Sequence, residues 1–308
     1  MDDNEPHGYR DRNETTEHGI SIWDVDERTA LERILSMSDR DIPDARHAFH
    51  KELDSIDDAF VAAGLHVAEA LPRLSAGFLA GDRSVIAESE ALALATADTC
   101  ELVDEAGFIL LARQAPVSGD LRRLVALLRM TMDVNRSASL LRHACLTLNT
   151  FEPRFLAEPL RSQLDELATQ SCGVFAAGMD AWRRRDALAL SEIDRQDDDV
   201  DELQKVLWEE AQRDGDDVGE GMLVLGLLAR YFERIADHGV EIARDTAFVA
   251  TGQRIRVGRL AKQADARARV LGGSDLDVAD VPDAPDAPDA ADATDDRAGD
   301  DTGEPGGA

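Results

Sequence analysis

The sequence predicts an all-α protein built as two tandem three-helix bundles, and three observations predict it. Apolar residues recur at spacings of three and four over long stretches, the period of a single helical face. The breaks between stretches are short and rich in residues that stop or start helices: "LAGD" at 79–82, "QAPVSGD" at 114–120, "FEPRF" at 151–155, "RRRD" at 183–186 and "RDGDDVGEG" at 213–221. Aromatics make up only 5% of the chain, and Ala, Leu, Asp and Glu dominate, which favours helix over strand.

The elements follow in order. Residues 1–41 form a polar extension with one short helical candidate, "DERTALERILSM". The first helix carries Phe49, Leu53, Ile56, Phe60, Gly64, Val67, Leu71 and Leu74 as one stripe, with Pro43 suited to its first turn. A second helix runs from about Arg83 to Arg113. Pro116 then ends that run and Ser118 is placed to cap the third helix, at about 119–149. These three make the first repeat, 42–150. The second repeat, 151–252, holds helices at about 156–184, Ala187–Gln212 and Met222–Ala250, with Gly252 as the stop. Long helices with short connectors pack as antiparallel neighbours.

Beyond the helices lies a basic segment, 253–271, with six cations and one acid. It reads as a solvated helix end or as a contact for an acidic partner, the chain's own tail or anionic lipid. Residues 272–308 are acidic, low in complexity and punctuated by Pro; they bury too little apolar surface to repay ordering and are expected to be disordered.

Composition excludes several function classes. The formal net charge is -30, of which the two ends, 1–27 and 272–308, carry about -18. No clustered cations mark the folded part for nucleic acid. Cys100, Cys145 and Cys172 are widely spaced, without a Cys-x-x-Cys pair, which fits a reducing cytoplasm rather than a disulfide framework or a zinc site. The polar, acidic start is unlike a signal peptide, and no apolar run approaches the ~20 residues of a membrane span. No Glu-x-x-His pairs or Gly-rich phosphate loop suggest a di-metal oxidase or an ATPase. His47 and His50 have no facing ligand, and His238 reads as a packed histidine or an outer partner of Asp237.

The chemistry-bearing signal is a set of carboxylates. Glu233 and Asp237 stand four apart in an otherwise apolar helix, so both project from one face about 6 Å apart and repel. Asp197 and Asp201 repeat that spacing on the preceding helix. An antiparallel hairpin brings the pairs face to face as four oxygen donors. A hard cation (Mg, Mn, Ca or ferric iron) satisfies such a set, and so does an ion pair with a neighbouring helix. A metal-dependent hydrolase built on these helices is a further alternative.

Laying 132–144 over 230–242, an offset of about 98, matches Arg136 with Arg234 and Ala138 with Ala236. It also sets Asn135 against Glu233 and Ser139 against Asp237. The halves read as relatives in which the later one kept its carboxylates.

"QAPVSGDLR" (114–122), "DDDVDELQKVLW" (197–208) and "RYFERIADHGVEIARDTAFVATG" (230–252) closely resemble the PhoU proteins, regulators of bacterial phosphate uptake. The Arg-rich, Lys-poor style is actinobacterial in character. The resemblance covers about 42–252 and implies two three-helix bundles and no enzymatic step. It implies that acidic helix motifs hold metal, mapped here onto Asp197, Asp201, Glu233 and Asp237. In the first repeat the pattern falls on Ala93, Ala97, Asn135 and Ser139, a degenerate motif. At most one site is therefore expected, in the C-terminal half, for a divalent or ferric ion (Mg, Mn, Zn or Fe). The implied partners are the ATPase subunit of a phosphate ABC transporter and a sensor histidine kinase, the membrane being met only through them. With phosphate plentiful, the expected role is to hold uptake and the phosphate-starvation response down. The loss of the first motif leaves open a divergent paralogue, or a helical interaction protein with no phosphate role. A homodimer is allowed by Leu-rich outer faces, though no heptad seam demands one.

Overall fold

The computed structural model describes residues 45–213 and 220–253. The N-terminal extension, the acidic tail, all but the first residue of the basic segment and most of the Gly/Asp connector at 213–221 lie outside the described residues. Within them the chain is helical, with no strand: α1 (Ala45–Leu79), α2 (Ser84–Gln114), α3 (Ser118–Leu146), α4 (Glu158–Arg184), α5 (Leu190–Arg213) and α6 (Glu220–Thr251), with single 3-10 turns at Thr147–Asn149 and Pro153–Phe155.

Local chemistry sets the helix ends. Gly81, at φ 74°, turns the chain out of α1, and Asp82 Oδ1 accepts the Ser84 N–H at 2.9 Å to begin α2. Ala115 (φ 43°) before Pro116 stops α2, and Arg185 (φ 58°) stops α4, its N–H returning to the Trp182 carbonyl at 3.0 Å. The capping role expected of Ser118 is not made. Ser118 is the first residue of α3 at φ 52°, and extended Val117 occupies the cap position without a side-chain bond. Two consecutive left-handed or extended residues after Pro116 rotate the hydroxyl out of capping reach.

Each run of three helices packs on itself, and the two sets join through α1 against α4 and α3 against α6. The result is two layers. Helices α2, α3, α6 and α5 lie side by side in that order, and α1 and α4 cover one side of them. The core between the layers holds Phe60, Phe78, Phe175, Trp182 and Phe232, all fully buried. Each such side chain contributes roughly 1.5–3 kcal/mol of burial.

Two polar features are built into this core. Asp57 of α1, 2% exposed, accepts from Trp182 Nε1 of α4 at 2.7 Å, from Arg123 Nε of α3 at 3.1 Å, and from Arg185. The Arg185 guanidinium also lies 4.3 Å over the Trp182 ring. One buried carboxylate thus ties three helices, and its charge is compensated as burial demands.

The second is a backbone contact. A Cβ on Gly178 of α4 would stand 2.3 Å from the Gly239 carbonyl oxygen of α6, and one on Gly239 2.6 Å from the Val174 carbonyl oxygen. Glycine at both places lets these helices touch main chain to main chain. Gly239→Ala is expected to destabilise the fold by about 1–3 kcal/mol in urea unfolding. Gly173→Ala, where a Cβ meets nothing within 4 Å, is the control and should be neutral or stabilising. Equal effects of the two substitutions would contradict the close crossing.

Candidate functional site: the facing carboxylates of α5 and α6

Two contacts fix the register of α5 against α6. Gln204 Nε2 donates to the Ala229 carbonyl at 3.5 Å, and the Trp208 ring fills the space beside Gly226. Stepping along the helices in opposite directions from these anchors sets Asp201 opposite Glu233 and Asp197 opposite Asp237. The four positions read from the sequence therefore stand at matching heights on neighbouring helices.

Their environments differ. Glu233 is fully buried, while Asp197, Asp201 and Asp237 are half-buried. The charge on Glu233 is met by Arg230, whose Nη1 donates to Oε2 at 2.6 Å, an i,i+3 pair on the same helix. Each of the other three also has interaction partners. As donors the four suit a hard cation, because all are carboxylate oxygens. Their convergence is another matter: among the described residues no three His, Cys, Asp or Glu side chains gather into a group able to hold a metal ion. The Arg230 guanidinium already supplies a positive charge at Glu233 Oε2.

The first repeat has an anchor of its own. Thr131 Oγ1 donates to Asp104 Oδ1 at 2.7 Å, which anchors α2 against α3 as Gln204 and Ala229 anchor α5 against α6. Along that register Asn135 falls opposite Cys100, whose thiol is hydrogen-bonded to the Asn135 backbone, and Ser139 falls opposite Thr96.

Comparison with known proteins agrees with this architecture. The chain is 30% identical over 216 residues to the phosphate-specific transport system accessory protein PhoU homolog 1 of Mycobacterium leprae, covering 67% of this chain and 94% of the relative. The chain belongs to the PhoU family. Identity is again 30% over 216 residues with PhoU homolog 2 of Mycobacterium tuberculosis, covering 98% of that protein. The family model described as the PhoU domain matches residues 164–246, which span α4 to α6. Solved structures share the fold: PhoU from Streptococcus pneumoniae (TM-score 0.62, 19% identity, 68% of this chain and all of that one) and PhoU from Pseudomonas aeruginosa (0.59, 20%, 67% and all). No helix among the described residues is long and apolar enough to cross a membrane.

The structure adds a second polar region to this PhoU-family chain that sequence reasoning missed. It is the antiparallel seam where α3 meets α6. Arg129 Nη1 donates to the buried Asp245 at 2.8 Å, and Ser137 Oγ lies 2.9 Å from His238 Nδ1. Ser137 donates its own hydrogen to the Asp133 carbonyl at 2.8 Å, so the ring nitrogen is the donor in the bond to His238. His238 is the packed histidine of the two readings, held well below its ordinary value, at about 4, by burial and then by Arg234 and Arg136. Asp133 is pushed up to about 7 by burial and then by Glu241 and Asp245 across the seam, with Arg129 and Arg136 opposing. His50 bonds Asp120 at 3.2 Å, joining α1 to α3. The thiols are buried and raised, Cys100 to about 12 and Cys145 and Cys172 to about 11, by desolvation above all.

These shifts predict a pH dependence. The folded-state value of Asp133, about 7, stands above the ~3.9 of an unfolded aspartate. Between those values only the folded chain holds the proton, so this group's contribution to stability falls as pH rises from about 4 to about 7. His238 has the opposite sign: its value is depressed, so its contribution falls as pH drops from about 6.5 to about 4. Asp133→Asn removes the first and keeps the second. The unfolding free energy of the variant minus that of the parent should grow from pH 4 to 7 and level off above, by on the order of 2–4 kcal/mol. A difference independent of pH would contradict the assignment.

Proposed function

We propose that this chain is a non-enzymatic accessory regulator of phosphate transport, an adaptor between the ATPase subunit of a phosphate ABC transporter and a sensor histidine kinase. The observation that carries the reading is family membership across both bundles. The mycobacterial relatives, matched over nearly their whole length, are named as accessory proteins of the phosphate-specific transport system. Supporting it, the perturbed groups of the structure are committed to helix–helix contacts: His238 to Ser137, Asp57 to Trp182 and two arginines, and the thiols to the core. A body of this kind acts by binding linkage, shifting the conformational equilibrium of whatever its surface grips.

The test is made in the native host. Deleting the gene is expected to raise a phosphate-starvation reporter in phosphate-replete cells, and the tagged protein is expected to co-purify the transporter ATPase. An unchanged reporter and no ATPase would replace this reading with a helical interaction protein that has no phosphate role.

A single hard cation at Asp197, Asp201, Glu233 and Asp237 belongs to the same proposal, supported by the register that sets these residues opposite one another. Elemental analysis of the purified protein should find metal that the Glu233→Ala, Asp237→Ala double variant loses while its helical circular dichroism persists. Equal stoichiometry in the two proteins, or none in either, would remove the cation from the account.

A further inference from the structure

The seam between α3 and α6 carries two guanidiniums that the fold does not use. Arg136 and Arg234 occupy equivalent positions in the two repeats, each next to a seam contact. The Ser137–His238 and Arg129–Asp245 contacts set the antiparallel register. In that register the two arginines sit four residues apart along the seam, about 6 Å of axial rise, one on each helix. Arg136 is exposed and Arg234 half-buried, on the side of the four-helix layer away from α1 and α4. Neither makes a hydrogen bond or an ion pair among the described residues, although the chain holds 63 acidic residues against 33 Lys and Arg.

The neighbouring charges are nearly all matched. Glu233 is held by Arg230, Glu241 by Arg244 and Asp245 by Arg129. Asp133 keeps its proton up to near neutral pH. Arg136, whose nearest carboxyl is Asp133 one turn before it, and Arg234 are left without a hydrogen bond or ion pair, and they flank a neutral histidine whose Nδ1 is already committed to Ser137. Two guanidinium forks on converging helices match the oxygens of a tetrahedral oxyanion, which each can grip with two parallel N–H bonds. Lysine at either place would supply charge without the fork.

The geometry points to an oxyanion site formed by Arg136 and Arg234 across the repeat junction, taking a phosphoryl group with its oxygens shared between the two helices. Free inorganic phosphate and the terminal phosphate of a nucleotide present the same chemistry. The site stands on both bundles, one arginine from each. The inference does not rest on the regulatory reading above, because binding is measured on the isolated protein.

The experiment is a titration of the full-length protein with inorganic phosphate, with ATP and with chloride as control, at fixed pH, followed by calorimetry and by the ring and amide NMR signals of His238 and Ser137. Saturable binding of phosphate or ATP that moves these signals is expected, and whichever ligand binds identifies the source. Arg136→Gln and Arg234→Gln should each weaken binding at least tenfold, and Arg→Lys should recover part of the loss. Neither arginine makes a hydrogen bond or ion pair that holds the fold, so thermal unfolding should stay as in the parent, and Arg161→Gln, which removes an exposed cation on α4 away from the seam, is the control and should bind as the parent does. Binding unchanged in the Arg136→Gln, Arg234→Gln double variant, or no response of the parent at 10 mM phosphate or ATP, roughly the top of the weak-binding range, would overturn the site.

Discussion

Arg129 reaches across from α3 to a carboxylate that solvent scarcely touches. Asp245 has a side chain 4% exposed, and Arg129 Nη1 lies 2.8 Å from it. A buried charge is tolerated only when paired, and taking away one partner leaves the other uncompensated at a cost of about 3–5 kcal/mol. The bond therefore does more than add to stability. It selects one register of α3 against α6 among the several that a small-residue helix interface would accept. Everything at the repeat junction follows from that register: where His238 meets Ser137, which acids crowd Asp133, and how far apart Arg136 and Arg234 stand.

The two bundles are thus joined by polar pairs as well as apolar packing. Asp57 performs the matching task between α1, α3 and α4, with an indole and two guanidiniums as donors. Elsewhere the helices meet through small residues, down to bare main chain at Gly178 and Gly239. A body assembled in this way is stiff within each bundle and specific between them, which suits a protein proposed to transmit a state rather than to transform a substrate. The halves have also diverged in a directed manner. The helix of the second repeat carries Glu233 and Asp237 where the matching stretch of the first carries Asn135 and Ser139.

Much of this was legible in the residues. Helical spacing and the Gly and Pro breaks located the six helices to within a few residues, because both signals are local. That α5 and α6 pack as neighbours was also readable, since a short connector forces an antiparallel hairpin. Three things were not. The cap at Ser118 depended on backbone dihedrals after Pro116. The register of α2 against α3 depends on the Thr131 to Asp104 bond, which no spacing reports. The environment of Asp133 depends on Glu241 and Asp245, about a hundred residues further along the chain, and no periodicity reports such neighbours. Arg230 is instructive in another way. Its i,i+3 spacing from Glu233 was visible, but not that Glu233 is fully buried with its charge met there.

A double-mutant cycle on Arg129 and Asp245 tests the junction most directly. Unfolding free energies of the parent, Arg129→Gln, Asp245→Asn and the double variant give the coupling between the two sites. A buried pair that locks the repeats predicts a coupling of about 1–3 kcal/mol, with the double variant less destabilised than the two single losses combined. Strictly additive losses would mean that α3 and α6 do not meet in this register, and the arrangement of the repeat junction would fall with it.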